Sequence, residues 1–259
     1  MILNKKEENW LLNEKYKGKE CPEFFEDIKR IENGEPVDYV IGFTVFLGAK
    51  IDLSFRPLIP RQETEFWLEK TVREALLPSS EGRRGGGKEG TKIKILDLFA
   101  GSGCIGIALL KNLPGITVDF GEKDPNLILQ IEKNLAINNI APERAHAYET
   151  DVFFHLPPKK YDYIFANPPY ISRNKKERVA DSVMKHEPHL ALFADDDGLF
   201  FIKKLLKESP DFLAPNGKLF IEFDAGQKEK IEERIKESKF KGEFWKDQFE
   251  KWRVIVCTL

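Results

Sequence analysis

Beyond residue 92 the chain alternates apolar runs of strand length with longer stretches whose apolar residues recur at helical spacing. KIKILDLF, ITVDFGE, AHAYETDVF, YDYIFANPPY, GKLFIEFD and KWRVIVCTL read as strands. Between them, GCIGIALLKNL, PNLILQIEKNLAINN, GLFFIKKLLKESPDFL and QKEKIEERIKES read as helices. That order predicts an α/β fold, a doubly wound and mostly parallel sheet with helices on both faces.

The upstream part reads differently. Two short helices are expected near 4–16 and 22–33, then a β-hairpin over VDYVIGFTVFLGAKIDLSF (37–55) and a connecting helix over TEFWLEKTVREALL (64–77). PSSEGRRGGGKEGTK, residues 78–92, has the Gly, Ser and charge content of a flexible linker. The expected organisation is a helical segment over 1–36, the hairpin and helix over 37–77, the linker over 78–92, and the α/β domain over 93–259.

Composition excludes several classes. With 41% hydrophobic residues the chain can bury a core, so global disorder is not expected. A balance of 41 basic against 43 acidic side chains leaves no overall footprint for nucleic-acid binding. Cys21, Cys104 and Cys257 lie far apart, and His146, His155, His186 and His189 show no ligand spacing, so neither a disulfide framework nor a metal is expected. No run approaches the roughly 20 apolar residues of a membrane span. These features predict a soluble, cytoplasmic protein with no membrane partner; a monomer is expected, though no feature of the sequence sets the oligomeric state.

DLFAGSG places Gly101 and Gly103 between a strand and a helix, where glycines let a backbone approach a ligand at a helix N-terminus. A tight turn with no ligand is the plainer alternative. About 20 residues on, Glu122 ends the next strand, where a carboxylate can accept from two ribose hydroxyls. Asp119 competes for that role. Asp151 ends the following strand, where it can accept from an adenine amino group. Three strand ends on one edge suggest a nucleoside crevice.

The fourth strand ends in Asn167-Pro168-Pro169-Tyr170. Proline has no N–H, so the Asn167 side-chain oxygen and the Pro168 carbonyl can form an acceptor pair without competing donors. Two such acceptors orient a planar –NH2 group, two fixed φ angles keep the loop stiff, and the Tyr170 ring offers a stacking face. A Pro-Pro pair that merely ends a strand is the alternative.

DLFAGSG followed by NPPY resembles the S-adenosylmethionine-dependent methyltransferases that act on planar nitrogens. GEPVDYVIGFTVFLGAKIDLSFRPLIPRQETE, HEPHLALFADDDGLFFIKKLL, LFIEFDAGQ and KDQFEKWRVIV narrow the resemblance to the N5-glutamine methyltransferases of peptide chain release factors, from about residue 34 onward. The resemblance implies a seven-stranded Rossmann-like sheet, S-adenosylmethionine as cofactor and a release factor as partner, with no direct nucleic-acid contact. It assigns Phe99, Ala100, Gly101, Ser102 and Gly103 to the cofactor's methionine end, Glu122 to its ribose, and Asp151 with the Val152 backbone to its adenine. Asn167, Pro168, Pro169 and Tyr170 would hold the glutamine amide, with Asn167 also bordering the cofactor. Arg61, Thr64 and Glu65 are expected near the methionine end, and Glu187 as a loop buttress or a plain salt bridge. The chain departs from the family pattern at Phe99-Ala100, Glu122, Gln62 and Val152, and its N-terminal segment is shorter. A DNA or RNA amino-methyltransferase and a ribosomal-protein glutamine methyltransferase are the alternatives.

Overall fold

The computed structural model describes residues 4–76 and 92–259, so the expected linker lies, but for Lys92, outside the described residues. Helix α1 (Lys5–Glu14) starts at Asn4, whose side chain accepts from the Lys6 and Glu7 amides, and α2 (Pro22–Glu32) starts on a proline. The stretch expected to be a strand from residue 37 opens instead with a short helix, α3 (Val37–Ile41), ended by Gly42 at φ 94°. Its run of β-branched residues reads as a strand, but Val37, Val40 and Ile41 are needed to close a small apolar cluster with Leu11, Phe24 and Ile31. Tertiary packing overrides local propensity there. The hairpin proper is β1 (Phe43–Phe46) and β2 (Ala49–Asp52), followed by α4 (Gln62–Thr71).

The α/β part runs β3 (Ile93–Leu98), α5 (Cys104–Asn112), β4 (Ile116–Glu122), α6 (Pro125–Ile137), β5 (Ala145–Glu149) and β6 (Tyr161–Ala166). A two-strand pair, β7 (Ile171–Ser172) and β8 (Phe193–Ala194), flanks α7 (Asp181–His186). Next come α8 (Phe200–Glu208), β9 (Leu213–Glu222), α9 (Lys228–Lys236), β10 (Lys241–Lys246) and β11 (Trp252–Thr258). The seven-stranded sheet has the order β10-β11-β9-β6-β3-β4-β5, and β11 alone runs against the others. Six of these strands coincide with the expected runs; β10, at the sheet edge, has no alternation to announce it and exposes four of its six residues.

Alternation along each strand sorts the core into two layers. Ile95, Phe165 and Phe220 pack with Trp67 and Leu68 of α4, Ile107 of α5 and Ile131 of α6. Leu96, Ile164 and Ile221 pack with Ile202 of α8 and Ile231 of α9. Trp67 is fully buried and stacks on Phe165 and Phe220, which contributes roughly 3 kcal/mol by area alone. Hairpin residues Phe46, Ala49 and Ile51 belong to that same layer. The free edge of β2 is satisfied by one face of α6 and its C-cap: Asn134 accepts from the Asp52 amide and Asn138 from Lys50, while Gln130 accepts from the Phe55 amide just beyond the strand. Amide side chains at i, i+4 and i+8 thus replace a missing partner strand.

The chain winds outward from β3 to β5 and returns to β6 on the other side of β3. The reversal opens a crevice at the carboxyl ends of β3 and β6, the place where such sheets bind ligands.

Candidate active site

Register brings the candidate residues to one line. Leu98 pairs with Gly121 on one side and Ala166 on the other, and Ala166 pairs with Ile221. Glu122, Phe99, Asn167 and Glu222 therefore each stand one residue beyond a common level on four adjacent strands, about 4.8 Å apart.

The loop after β3 turns through left-handed backbone at Phe99 (φ 57°), Gly101 (55°) and Gly103 (76°). Phe99 adopts it although it carries a side chain, and its ring packs edge-on against Phe201 at 5.1 Å. The Ala100 amide donates to the Gly121 carbonyl, and buried Asn134 donates to the Ser102 carbonyl at 2.9 Å, so α6 steadies the loop and the hairpin together. Glu122 completes the clamp. Its Oε2 accepts from the Gly101 amide at 2.8 Å, while Oε1 accepts from the Lys123 and Asp124 amides at 2.7 and 2.9 Å. A carboxylate has about four lone-pair positions, so this one retains capacity for a ligand hydroxyl. Substituting Glu122→Gln leaves one oxygen for two sets of donors; cofactor affinity is expected to fall about tenfold to a hundredfold in calorimetry, with fold stability little changed.

Asp119, the competitor, is turned into the sheet: it accepts from the Tyr161 hydroxyl at 2.7 Å and pairs with Lys159 at 2.5 Å, away from the strand ends. Strand β5 stops at Glu149, two residues before Asp151. Asp151 is half-exposed and paired with Lys123 at 2.7 Å, which holds its carboxyl below the usual range. Val152 is buried with φ 60°, an uncommon conformation for a β-branched side chain. Thr150 Oγ1 donates to its carbonyl at 3.1 Å.

Pro168 and Pro169 are buried, whereas Asn167 and Tyr170 are partly exposed. Among the described residues the Asn167 side chain has no hydrogen-bond partner; it lines a cavity of about 200 Å³ with Leu58, Arg61, Tyr170, Ile171 and Val183. The loop that carries it is held from behind. The Tyr170 hydroxyl donates to Glu222 Oε1 at 3.2 Å, and Gln227 Nε2 donates to the Tyr170 carbonyl at 2.9 Å. Burial pushes both the Tyr170 phenol and the Glu222 carboxyl upward. A further cavity of about 240 Å³ shares Arg61 and Val183 with the first and reaches Glu7 of the N-terminal segment and Asp38 of α3.

The upstream residues expected near the methionine end have separate partners. Thr64 donates to Glu222 at 2.6 Å, Glu65 accepts from the Leu47 amide at 2.6 Å, and Arg61 pairs with Glu187 at 2.8 Å. Glu187 is buried and also accepts from the Ile59 amide, so it straps segment 59–61 to the loop beyond the prolines.

Four residues of this site were not anticipated: Asp97, Gly198, Glu222 and Gln227. Two carried a signal, an acid set inside an apolar strand. Asp97 Oδ2 accepts from the Gly106 amide at 2.9 Å in the first turn of α5, and burial raises its carboxyl to about 8. The folded protein then binds a proton that the unfolded chain releases near pH 4. The stability it contributes is full below about pH 4 and lost as pH rises to about 8. Asp97→Asn is therefore expected to flatten the fall in melting temperature between pH 5 and 8, relative to the wild-type chain measured by calorimetry.

Among the described residues no group of three or more His, Cys, Asp or Glu could hold a metal, and no helix is long and apolar enough to cross a membrane.

Comparison with known proteins shows the family and the fold. Residues 87–192 match the family Methyltransferase small domain. The release factor glutamine methyltransferase of Streptococcus pneumoniae is 33% identical over 239 residues, covering 90% of this chain and 79% of that protein. The chain spans only 47% of the bifunctional methyltransferase of Rickettsia felis, to which it is 30% identical. Among solved structures, the ribosomal protein L11 methylase of Lactobacillus delbrueckii subsp. bulgaricus superposes with a TM-score of 0.54 at 18% identity, over 80% of this chain and 82% of that one. The SAH complex of SMU.776 superposes with a TM-score of 0.53 at 14% identity, over 84% of this chain and 55% of that one. Both likenesses concern the fold.

Proposed function

We propose, from the premise that this chain belongs to the release factor glutamine methyltransferase family, that it methylates the side-chain amide nitrogen of a glutamine in a peptide chain release factor. The observation that carries the reading is Asn167: an amide without an internal partner, lining a cavity with Tyr170, one strand from the glycine loop.

The cofactor of this methyltransferase is S-adenosylmethionine, which when bound supplies a methyl group on a positively charged sulfur. The donor set fits it. Glu122, fixed by three backbone amides, has acceptor capacity for ribose hydroxyls, and the left-handed turns at Phe99 and Gly101 let the loop backbone reach the methionine part. Asp151 and the backbone at Val152 would hold the adenine end.

An amide nitrogen is a weak nucleophile because its lone pair is delocalised into the carbonyl. Positive charge would grow on it as the sulfur–methyl bond breaks and the nitrogen–methyl bond forms; the Asn167 Oδ1 and Pro168 carbonyl oxygens stabilise that charge by accepting from its N–H groups, and one N–H proton then passes to water. The loop backbone that carries these oxygens is preorganised: Pro168 and Pro169 are buried, and Tyr170 is fixed at its hydroxyl and its carbonyl. Alignment within this cleft replaces an orientational search with a fixed approach. The adjoining cavity, with walls from the N-terminal segment, supports reading that segment as part of the protein-substrate surface.

The test is to incubate the protein with isotopically labelled S-adenosylmethionine and, separately, release factors, ribosomal proteins, DNA and RNA, mapping the labelled atom by mass spectrometry. Label on a release factor glutamine is expected. Label confined to a ribosomal-protein glutamine or a nucleobase amine would overturn the substrate assignment.

A further inference from the structure

We propose that Glu222 is the positioning residue of the amide pocket, setting the Tyr170 ring through one carboxylate oxygen while the other anchors α4; this rests on the methyl-transfer reading above. Glu222 ends β9, is 1% exposed, and stands beside Asn167 in the register of adjacent strands. Its two oxygens have different tasks. Oε2 accepts from Thr64 Oγ1 at 2.6 Å and Trp67 Nε1 at 2.9 Å, both on α4. Oε1 accepts from the Tyr170 hydroxyl at 3.2 Å. Arg253 adds a favourable charge nearby and is itself held by Asp247 at 3.1 Å.

A carboxylate at this depth carries a large desolvation cost. Packing α4 onto the sheet does not require it, since Trp67 is already stacked on Phe165 and Phe220. An apolar residue here would leave the Thr64 and Trp67 donors unpaired and, in addition, could not accept from Tyr170. The Tyr170 carbonyl is held separately by Gln227, which fixes the backbone and leaves the ring direction to Glu222. The ring lines the same cavity as Asn167, so its direction sets the width of the slot for a planar amide.

The division between oxygens supplies a selective variant. In Glu222→Gln the single oxygen turns toward the two α4 donors, and the –NH2 group then faces Tyr170, where it can donate to the phenol oxygen but cannot accept from its O–H. Attachment of α4 is kept, and only the tyrosine loses its acceptor. With a release factor as substrate, Glu222→Gln is expected to lower kcat about tenfold to a hundredfold, with unchanged cofactor affinity. Tyr170→Phe is expected to do the same, and the double variant to be no slower than either single one. Multiplying losses in the double variant, or a Tyr170→Phe enzyme with full kcat, would overturn the proposal; the latter also decides it should Glu222→Gln fail to fold. A second readout needs no substrate. In protein labelled with fluorotyrosine, the resonance absent from Tyr170→Phe is that of Tyr170, and in Glu222→Gln it is expected to shift and broaden. An unmoved resonance sinks the idea. If the wild-type protein methylates no release factor, the proposed substrate falls, and the fluorine spectrum alone decides the role of Glu222.

Discussion

Replacing Asn167 by alanine is expected to lower methyl transfer about a hundredfold to a thousandfold while cofactor affinity stays as in the wild type. The separation follows from position. The clamp on the glycine loop is made by Glu122, two strands from Asn167, with the loop itself on the strand between them. None of the hydrogen bonds that hold that loop involves Asn167. On the proposed reading, what disappears is one of two acceptors for a nitrogen that becomes positive only during transfer, so the loss falls on kcat rather than on binding. Isothermal titration with S-adenosylmethionine and single-turnover transfer from labelled cofactor separate the two. Near-normal turnover in Asn167→Ala would remove the central residue of the proposed site.

The parts of this molecule that were readable in the sequence are those set by short-range periodicity. Strand β4 coincides with ITVDFGE, and Glu122 stands at its end as expected. The glycine loop and the prolines were legible because each imposes a backbone constraint wherever it occurs. What stayed hidden depends on partners far away in the chain. Glu222 meets Thr64 across 158 positions, and Gln227 meets Tyr170 across 57; neither spacing leaves a local pattern. Glu187 was expected as a loop buttress or salt bridge, but its partners Ile59 and Arg61, 128 and 126 positions earlier, left no local pattern. Helix α3 shows the opposite failure, a local pattern that is clear but overruled by the apolar cluster it completes. Residues that hold the site together are thus less legible than those that border it.

That distinction makes Gly198 the most consequential residue with no obvious chemistry. It lies between β8 and α8 at φ 84°, where an L-residue with a side chain is strained by roughly 1–2 kcal/mol. Space is the larger obstacle. A methyl group there would sit 2.0 Å from the Tyr170 carbonyl oxygen and 2.5 Å from Gln227 Nε2, well inside van der Waals contact. The first of these atoms is backbone, and the second donates to it at 2.9 Å, so neither can move without the other. Gly198→Ala must therefore push the carbonyl of Tyr170 away and take the tyrosine ring with it. Displacement of about 1 Å at a positioning group lowers transfer by about a hundredfold, and that loss is the expected result. Melting temperature should fall by several degrees, corresponding to roughly 1–3 kcal/mol. Gly115→Ala is the matching control, because nothing lies within 4 Å of a methyl group at that position. If Gly198→Ala transfers methyl groups as fast as Gly115→Ala, the seating of the proline loop against this turn does not govern the reaction.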